Sequence, residues 1–334
     1  MAEKDPPKIV GEIVADKYVN EKAVGEGGFA VVYRAQHKIW KKPVAIKFFS
    51  ELSSAPSDQR DELEQNFINE GALLTELTSH TASIVQARDV GTYTTPEGRW
   101  MPYMVLEWLE GLSLEELLER EQKAGRPAWT LLEMMRVLGP VATALDVAHG
   151  KGIAHRDVKP ANIFVLGDDP RTAATVKILD FGVAKMITDN TQMRAAMAKT
   201  GTNITSFTPQ YGAPEQFTRS YGATGPWSEV FALALGAVEM VLGRPALDGD
   251  HLIQLAYSAG NPEKRPSPRT LGLAVTDAVE SVFLKAFAPN PTERYQRAGE
   301  FWNALQAACG GGGEAPTRGV PPTAAMPGPL PLAG

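Results

Sequence analysis

The octet His155-Arg156-Asp157-Val158-Lys159-Pro160-Ala161-Asn162 sets a carboxylate, an ammonium and a carboxamide at short fixed offsets, with Pro160 restricting the backbone. Moving a phosphoryl group from a nucleotide to a hydroxyl needs such a set: an acceptor for the hydroxyl proton, a cation at the travelling phosphate, and an oxygen ligand for magnesium. Further on, the strand-like run Val176-Lys177-Ile178-Leu179 ends in Asp180-Phe181-Gly182. A carboxylate at a strand end, followed by a glycine pivot, suits a loop that anchors a metal and can move. Upstream, Gly25-Glu26-Gly27-Gly28-Phe29-Ala30-Val31-Val32 lies between two strand-like runs. Residues without Cβ let backbone N–H groups approach phosphate oxygens closely. A strand rather than a helix follows, so this is no dinucleotide fingerprint. Next, Val44-Ala45-Ile46-Lys47 places a lysine in an apolar strand. Such a lysine is commonplace at a sheet edge, but behind a glycine loop it can reach phosphates. Each segment alone is common in ordinary loops and turns; all of them in this order are specific.

Together these segments resemble the motifs of eukaryotic-type protein kinases, and most closely the bacterial Hanks-type serine/threonine kinases, over about Tyr18 to Leu305. The resemblance implies ATP and Mg2+ as cofactors, with Asp157, Lys159, Lys47, Asn162 and Asp180 as catalytic residues. Asp157 would accept the substrate's hydroxyl proton, Lys159 would neutralise charge at the γ-phosphate, and Asn162 and Asp180 would ligate magnesium. Around the nucleotide it implies Gly25, Glu26, Gly27, Gly28, Phe29, Ala30 and Val32 at the phosphates, Ala45 as ceiling and Phe164 as floor. Leu106 would stand behind the adenine, and the backbone around Glu107 and Leu109 would read its edge. Asp61, Glu62 and Glu70 are all candidate partners for Lys47; the family's spacing in Phe67-Ile68-Asn69-Glu70-Gly71-Ala72-Leu73-Leu74 selects Glu70. His155 would pack structurally under the next motif.

The hydroxyl-rich stretch from Met186 to Thr208 corresponds to the activation segment, with Thr200 and Thr202 as regulatory phosphosites able to pair with Arg156. Thr208 would lie against Asp157 and Lys159, which favours serine or threonine as acceptor. Glu215, buried, would need Arg294 as its partner. Three departures stand out: Ala30 replaces the loop's third glycine, Glu229 stands where the family has Asp, and Ala234 where it has Gly. Glu229 must hold the loop around Asp157 with one methylene more. Two rivals belong to other classes: a nucleotide-binding pseudokinase scaffold, and a kinase acting on a small molecule.

The elements that must position these groups follow from pattern. Short β-branched runs dominate Tyr18 to Leu109, interrupted by one helix at Asp61 to Leu77 with Leu63, Phe67, Leu74 and Leu77 at helical spacing. Thr94 to Arg99 carries turn chemistry and reads as a hairpin tip. Helices follow at Leu114 to Gln122, Leu131 to His149, Ser228 to Leu242 and Val275 to Phe287. The fold class is therefore α+β, a bilobal protein-kinase-like fold: a β-rich N-lobe with one regulatory helix, a helical C-lobe, and a cleft between. The expected division is a flexible N-terminus at 1–16, a kinase domain at 17–307 (N-lobe about 17–108, C-lobe about 109–307), and a Gly/Pro-rich linker or tail at 308–334. A linker of that kind suggests that the chain is the front of a longer protein.

The 334 residues are 43% hydrophobic and 22% charged, an ordinary globular composition large enough for two lobes. A net charge of −6 gives no electrostatic footprint for nucleic acid or anionic membrane. Val230 to Leu242 is too short to span a bilayer and reads as a buried helix. The lone Cys309 cannot form an internal disulfide, so a cytoplasmic location is expected. The expected partners are proteins with serine or threonine acceptors, and a second copy of the chain for trans-autophosphorylation. Replacing Lys47 with alanine should abolish phosphoryl transfer while leaving the circular-dichroism melt unchanged; wild-type turnover in that variant would mean another lysine holds the phosphates.

Overall fold

The computed structural model describes residues 8–27, 30–167, 169–171, 175–181 and 207–310. Its first half is a six-stranded antiparallel sheet in the order β1-β2-β3-β4-β6-β5, built from β1 (Ile13–Val14), β2 (Tyr18–Glu26), β3 (Val31–His37), β4 (Pro43–Phe48), β5 (Ala87–Thr94) and β6 (Trp100–Glu107). Strand alternation decides which residues meet the cleft. In β4, Val44, Ile46 and Phe48 are buried in a core shared with Tyr33, Val105 and Met101. Ala45 and Lys47 therefore point to the other face. The register sets Ala45 opposite Leu106 and Lys47 opposite both Val32 and Met104. The glycine-rich turn joins β2 to β3, closed by the Gly27 N–H donating to the Ala30 carbonyl over 2.9 Å.

The helix α1 (Arg60–Thr78) lies against β5 and buries Leu63, Phe67, Leu74 and Leu77. Gly71 has a packing reason: a Cβ there would stand 2.8 Å from Val90 Cγ1 of β5, closer than side-chain carbons approach. Helix propensity is given up so that helix and sheet can meet.

A three-stranded sheet, β7 (Gly111–Ser113), β8 (Ile163–Leu166) and β9 (Thr175–Ile178), floors the cleft. Below it lie α2 (Leu114–Lys123), α3 (Leu131–Gly150), α4 (Pro214–Phe217), α5 (Pro226–Leu242), α6 (Leu252–Gly260), α7 (Asp277–Ala286) and α8 (Ala298–Gly310). Ser113 with Glu116, and Thr130 with Glu133, form reciprocal capping boxes that start α2 and α3. Helix α5 is buried continuously from Ser228 to Val238, as its unbroken apolar run requires, and ends on Gly243 at φ +76°. Among the described residues no helix is long and apolar enough to cross a membrane.

Residues at both expected domain limits make contacts with the fold. Within residues 8–16, Ile9 and Val14 are fully buried, β1 pairs with β2, and the Asn20 amide donates to the Ile9 carbonyl. Ile9, Val10, Ile13 and Val14 follow no strand alternation, so the segment's attachment is invisible without the sheet it covers. At the other end α8 runs through Gly310, past 307, because Ala304, Ala308 and Cys309 still contact the core. Helices α6 and α8 were not among the expected elements either.

Phe287 is fully buried, edge-on to Phe231 at 5.3 Å and stacked on Phe283. Phe287→Ala should cost about 3–5 kcal/mol, read as a lowered urea midpoint with an unchanged slope.

Candidate active site

Residues distant in sequence meet at the cleft floor. Strand β9 ends two residues before Asp180, and β4 carries Lys47 across from it; Lys47 Nζ and Asp180 Oδ1 are 2.6 Å apart. Asp180 adopts φ +59°, a left-handed conformation that carries strain in a residue with a Cβ. Burial disfavours its charged form, but the Lys47 ammonium, with His155 and Lys159 adding to it, outweighs that penalty. The carboxyl therefore titrates below its ordinary range. Glu70, the partner expected for Lys47, is buried on α1 and has an interaction of its own. Lys47 makes an ion pair at contact distance with Asp180.

Asp157 is gripped from three directions. Its Oδ1 accepts from the Thr208 hydroxyl at 2.7 Å and the Thr208 N–H at 3.2 Å. Its Oδ2 lies 2.7 Å from Lys159 Nζ and accepts from Asn162 Nδ2 at 3.1 Å. Lys159 Nζ also donates to the Thr208 hydroxyl at 2.7 Å, which closes a triangle of carboxylate, ammonium and hydroxyl. Asn162 Nδ2 donates to the Asp157 carbonyl at 2.8 Å as well, so the amide's orientation is set and Oδ1 is left as its ligand atom. A cavity of about 320 Å³ opens beside Asp157, lined by Thr208, Phe207, Gln216 and Trp227 among others.

The loop that carries Asp157 is held from both sides. The Asp157 N–H donates to His155 Nδ1 at 3.2 Å, which leaves Nε2 to donate to the Leu179 carbonyl at 2.7 Å. The same ring meets Phe181 edge-on at 4.7 Å, so it joins the two acid-bearing motifs as a structural element. From below, Glu229 Oε1 accepts the Arg156 N–H at 2.6 Å and its Oε2 accepts from His149 Nε2 at 2.7 Å. The longer side chain in place of aspartate thus still reaches the loop backbone. Ala234, one turn further along α5, is fully buried. His149 had no signal in the sequence beyond lying in the last turn of a predicted helix.

The remaining residues expected around the nucleotide are placed as follows. Gly25 and Glu26 are in β2, Gly27 is in the turn, and Ala30 and Val32 lie before and within β3; Gly28 and Phe29 lie outside the described residues. Leu106, buried, and Glu107, half-buried, end β6; Leu109 is half-buried just after it, and Phe164 is on β8. Thr200 and Thr202 also lie outside the described residues. Glu215 and Arg294 form a two-pronged pair at 2.7 and 2.9 Å, with neither side chain exposed, and Ser228 Oγ donates to the same carboxylate at 2.6 Å. The pair fastens α4, which follows Thr208, to the segment before α8.

The family described as "Protein kinase domain" matches residues 18–296. The chain is 32% identical over 291 residues to a "Probable serine/threonine-protein kinase PknB" of Corynebacterium glutamicum, covering 86% of this chain and 41% of that protein. To "Serine/threonine-protein kinase Pkn1" of Myxococcus xanthus it is 35% identical, covering 85% of this chain and 37% of that protein. The chain therefore spans about two-fifths of the length of the curated relatives it matches. The crystal structure of the PknI kinase domain of Mycobacterium tuberculosis superposes with a TM-score of 0.63 at 21% identity, over 90% of this chain and 98% of that one, a likeness of fold.

Arg294→Met should cost about 3–5 kcal/mol, since Glu215 is left as an uncompensated buried charge, whereas Glu215→Met together with Arg294→Met should recover most of that loss. Urea denaturation of the single and double variants checks it.

Proposed function

This chain belongs to the protein kinase family, of the type shared by bacterial serine/threonine kinases, and we propose that it transfers the γ-phosphoryl group of ATP to serine or threonine hydroxyls of proteins. The observation that carries the reading is the triangle of Asp157, Lys159 and Thr208, each side at 2.7 Å, on the same cleft floor as the Lys47–Asp180 pair.

The donor set fits magnesium. Asp180 and Asn162 offer one carboxylate and one amide oxygen, and among the described residues no group of three or more His, Cys, Asp or Glu converges on a common point. Magnesium takes most of its ligands from phosphates and water, so a sparse protein contribution is what it needs. When bound, it neutralises the charge that develops on the transferring phosphate.

The chain's own residues supply position and charge. Asp157, fixed by its donors, orients an incoming hydroxyl and accepts its proton, which passes from the acceptor oxygen to a carboxylate oxygen. Lys159, already bonded to that carboxylate, stands where the same hydroxyl meets the γ-phosphate and offsets its charge. Lys47 reaches the phosphates from the roof of the cleft. Thr208 ties the acceptor platform to the proton acceptor, so a substrate chain laid along residues 207–211 brings its hydroxyl to Asp157. Autophosphorylation at Thr200 or Thr202, in trans between two copies, would regulate the enzyme through Arg156. A cytoplasmic location belongs to this proposal too.

Asp157→Asn keeps the shape and removes the proton acceptor. Transfer of labelled phosphate from ATP to a generic protein acceptor should fall by about 10²–10⁴-fold. Equal, background-level ADP release from both proteins would mean a nucleotide-binding scaffold, and labelled small molecules with no phosphoserine or phosphothreonine would mean a small-molecule kinase.

A further inference from the structure

Beside the cleft, the side chain of Glu107 forms a half-buried ion pair with Lys177, a residue given no role above. Lys177 Nζ is 2.5 Å from Glu107 Oε1, with the two side chains 16% and 17% exposed. The same Glu107 oxygen accepts the Gln86 N–H at 2.9 Å, while the Glu107 N–H donates to the Gln86 carbonyl at 3.0 Å. Lys177 Nζ also contacts the Ile84 carbonyl at 3.4 Å. The segment before β5 is itself bonded to β9, through the Val85 N–H to the Ile178 carbonyl and the Ile178 N–H to the Ser83 carbonyl. The result is a closed ring of contacts: the end of β6, the residues leading into β5, and β9.

Two features place this ring at the adenine end of the cleft. Lys177 is the register partner of Phe164, so the two side chains share one face of the small sheet. Glu107 directly follows Leu106, which is paired with Ala45. Floor, ceiling and edge of the base site are thus all one residue or one strand away from the ion pair.

Resting on the kinase reading above, we infer that Lys177 and the Glu107 carboxylate are a positioning pair that fixes the base-reading backbone at residues 107–109 and thereby sets purine selectivity. The physics is a matter of where the carboxylate goes. Held by Lys177 and the Gln86 N–H, it stays turned into the protein. Without the ammonium, a half-buried carboxylate with one donor is drawn toward water, and the backbone that bears it moves with it. Adenine offers an amine donor at its edge where guanine offers an oxygen acceptor. A backbone fixed in place discriminates between them by leaving a mismatched polar group unpaired; a loosened backbone discriminates less.

The test uses the full chain, with dissociation constants and saturation kinetics for both ATP and GTP. Lys177→Met should raise the ATP dissociation constant and KM by roughly tenfold, the effect of losing one partly buried charged contact. It should leave kcat within about twofold and bring the ATP and GTP affinities closer together. Lys177→Arg should stay near wild type, and the exchanged pair Glu107→Lys with Lys177→Glu should recover part of the selectivity. If Lys177→Met does not fold, Glu107→Gln removes the same ion pair while keeping an acceptor for Gln86. An unchanged ATP-to-GTP ratio in the folded variants, or an equal fall in kcat with both nucleotides, would make the pair merely structural and overturn the inference. A wild type that binds ATP selectively yet transfers no phosphate would instead sink the kinase reading and leave the binding ratios to decide this one.

Discussion

Glu229, buried to 4% exposure in the middle of the helical lobe, is the point from which the reactive loop is held. One oxygen takes the Arg156 N–H and the other takes His149 of α3, whose Nδ1 in turn accepts the Ala298 N–H at the start of α8. Arg156 sits at φ +72°, a conformation costing of order 1–3 kcal/mol for a residue with a Cβ. Such strain persists only where surroundings over-determine it. A short bond from a buried carboxylate to the strained residue's own N–H does this, and it aims Asp157, the next residue, into the cleft. A second left-handed residue, Asp180, marks the other half of the site.

The two lobes are joined by charge as well as by chain. Lys47 meets Asp180 across the cleft, Glu107 meets Lys177 at its closed end, and Glu76 of α1 meets Lys151 after α3 at 2.6 Å. These contacts differ in worth. The Lys151–Glu76 pair is solvent-exposed and adds little. The other two are partly buried, and each ties a strand of the upper sheet to β9 or its continuation. Strand β9 and its continuation are therefore tied to both β4 and the end of β6. The buried Arg294–Glu215 pair does the corresponding task for the segment after Thr208, fixing it to the residues before α8.

Much of the fold was legible in advance because local pattern and tertiary need agree. The alternation in β4 that turns Lys47 away from the core, and the apolar run of α5, follow from one-dimensional period. Where the reading fell short, the deciding contact lay across the fold. Ile9 and Val14 show no period, yet they cover the sheet; Gly71 looks like a flaw in a helix until Val90 is set against it; α8 continues to Gly310 because Ala308 and Cys309 still find the core.

By itself the sequence determined the chemical inventory: which carboxylates, lysines and amide are present, and the short spacing that keeps Asp157, Lys159 and Asn162 in one loop. Only the tertiary structure decided the pairings. It brought Lys47 to Asp180, supplied His149 to Glu229, and set Lys177 on Glu107, 70 residues away in the chain. The reason is that spacing constrains groups within a few residues of each other. A charge held at a strand end can be matched by any opposite charge the fold brings within 3 Å, and that distance is set by register and helix position, which no local motif encodes.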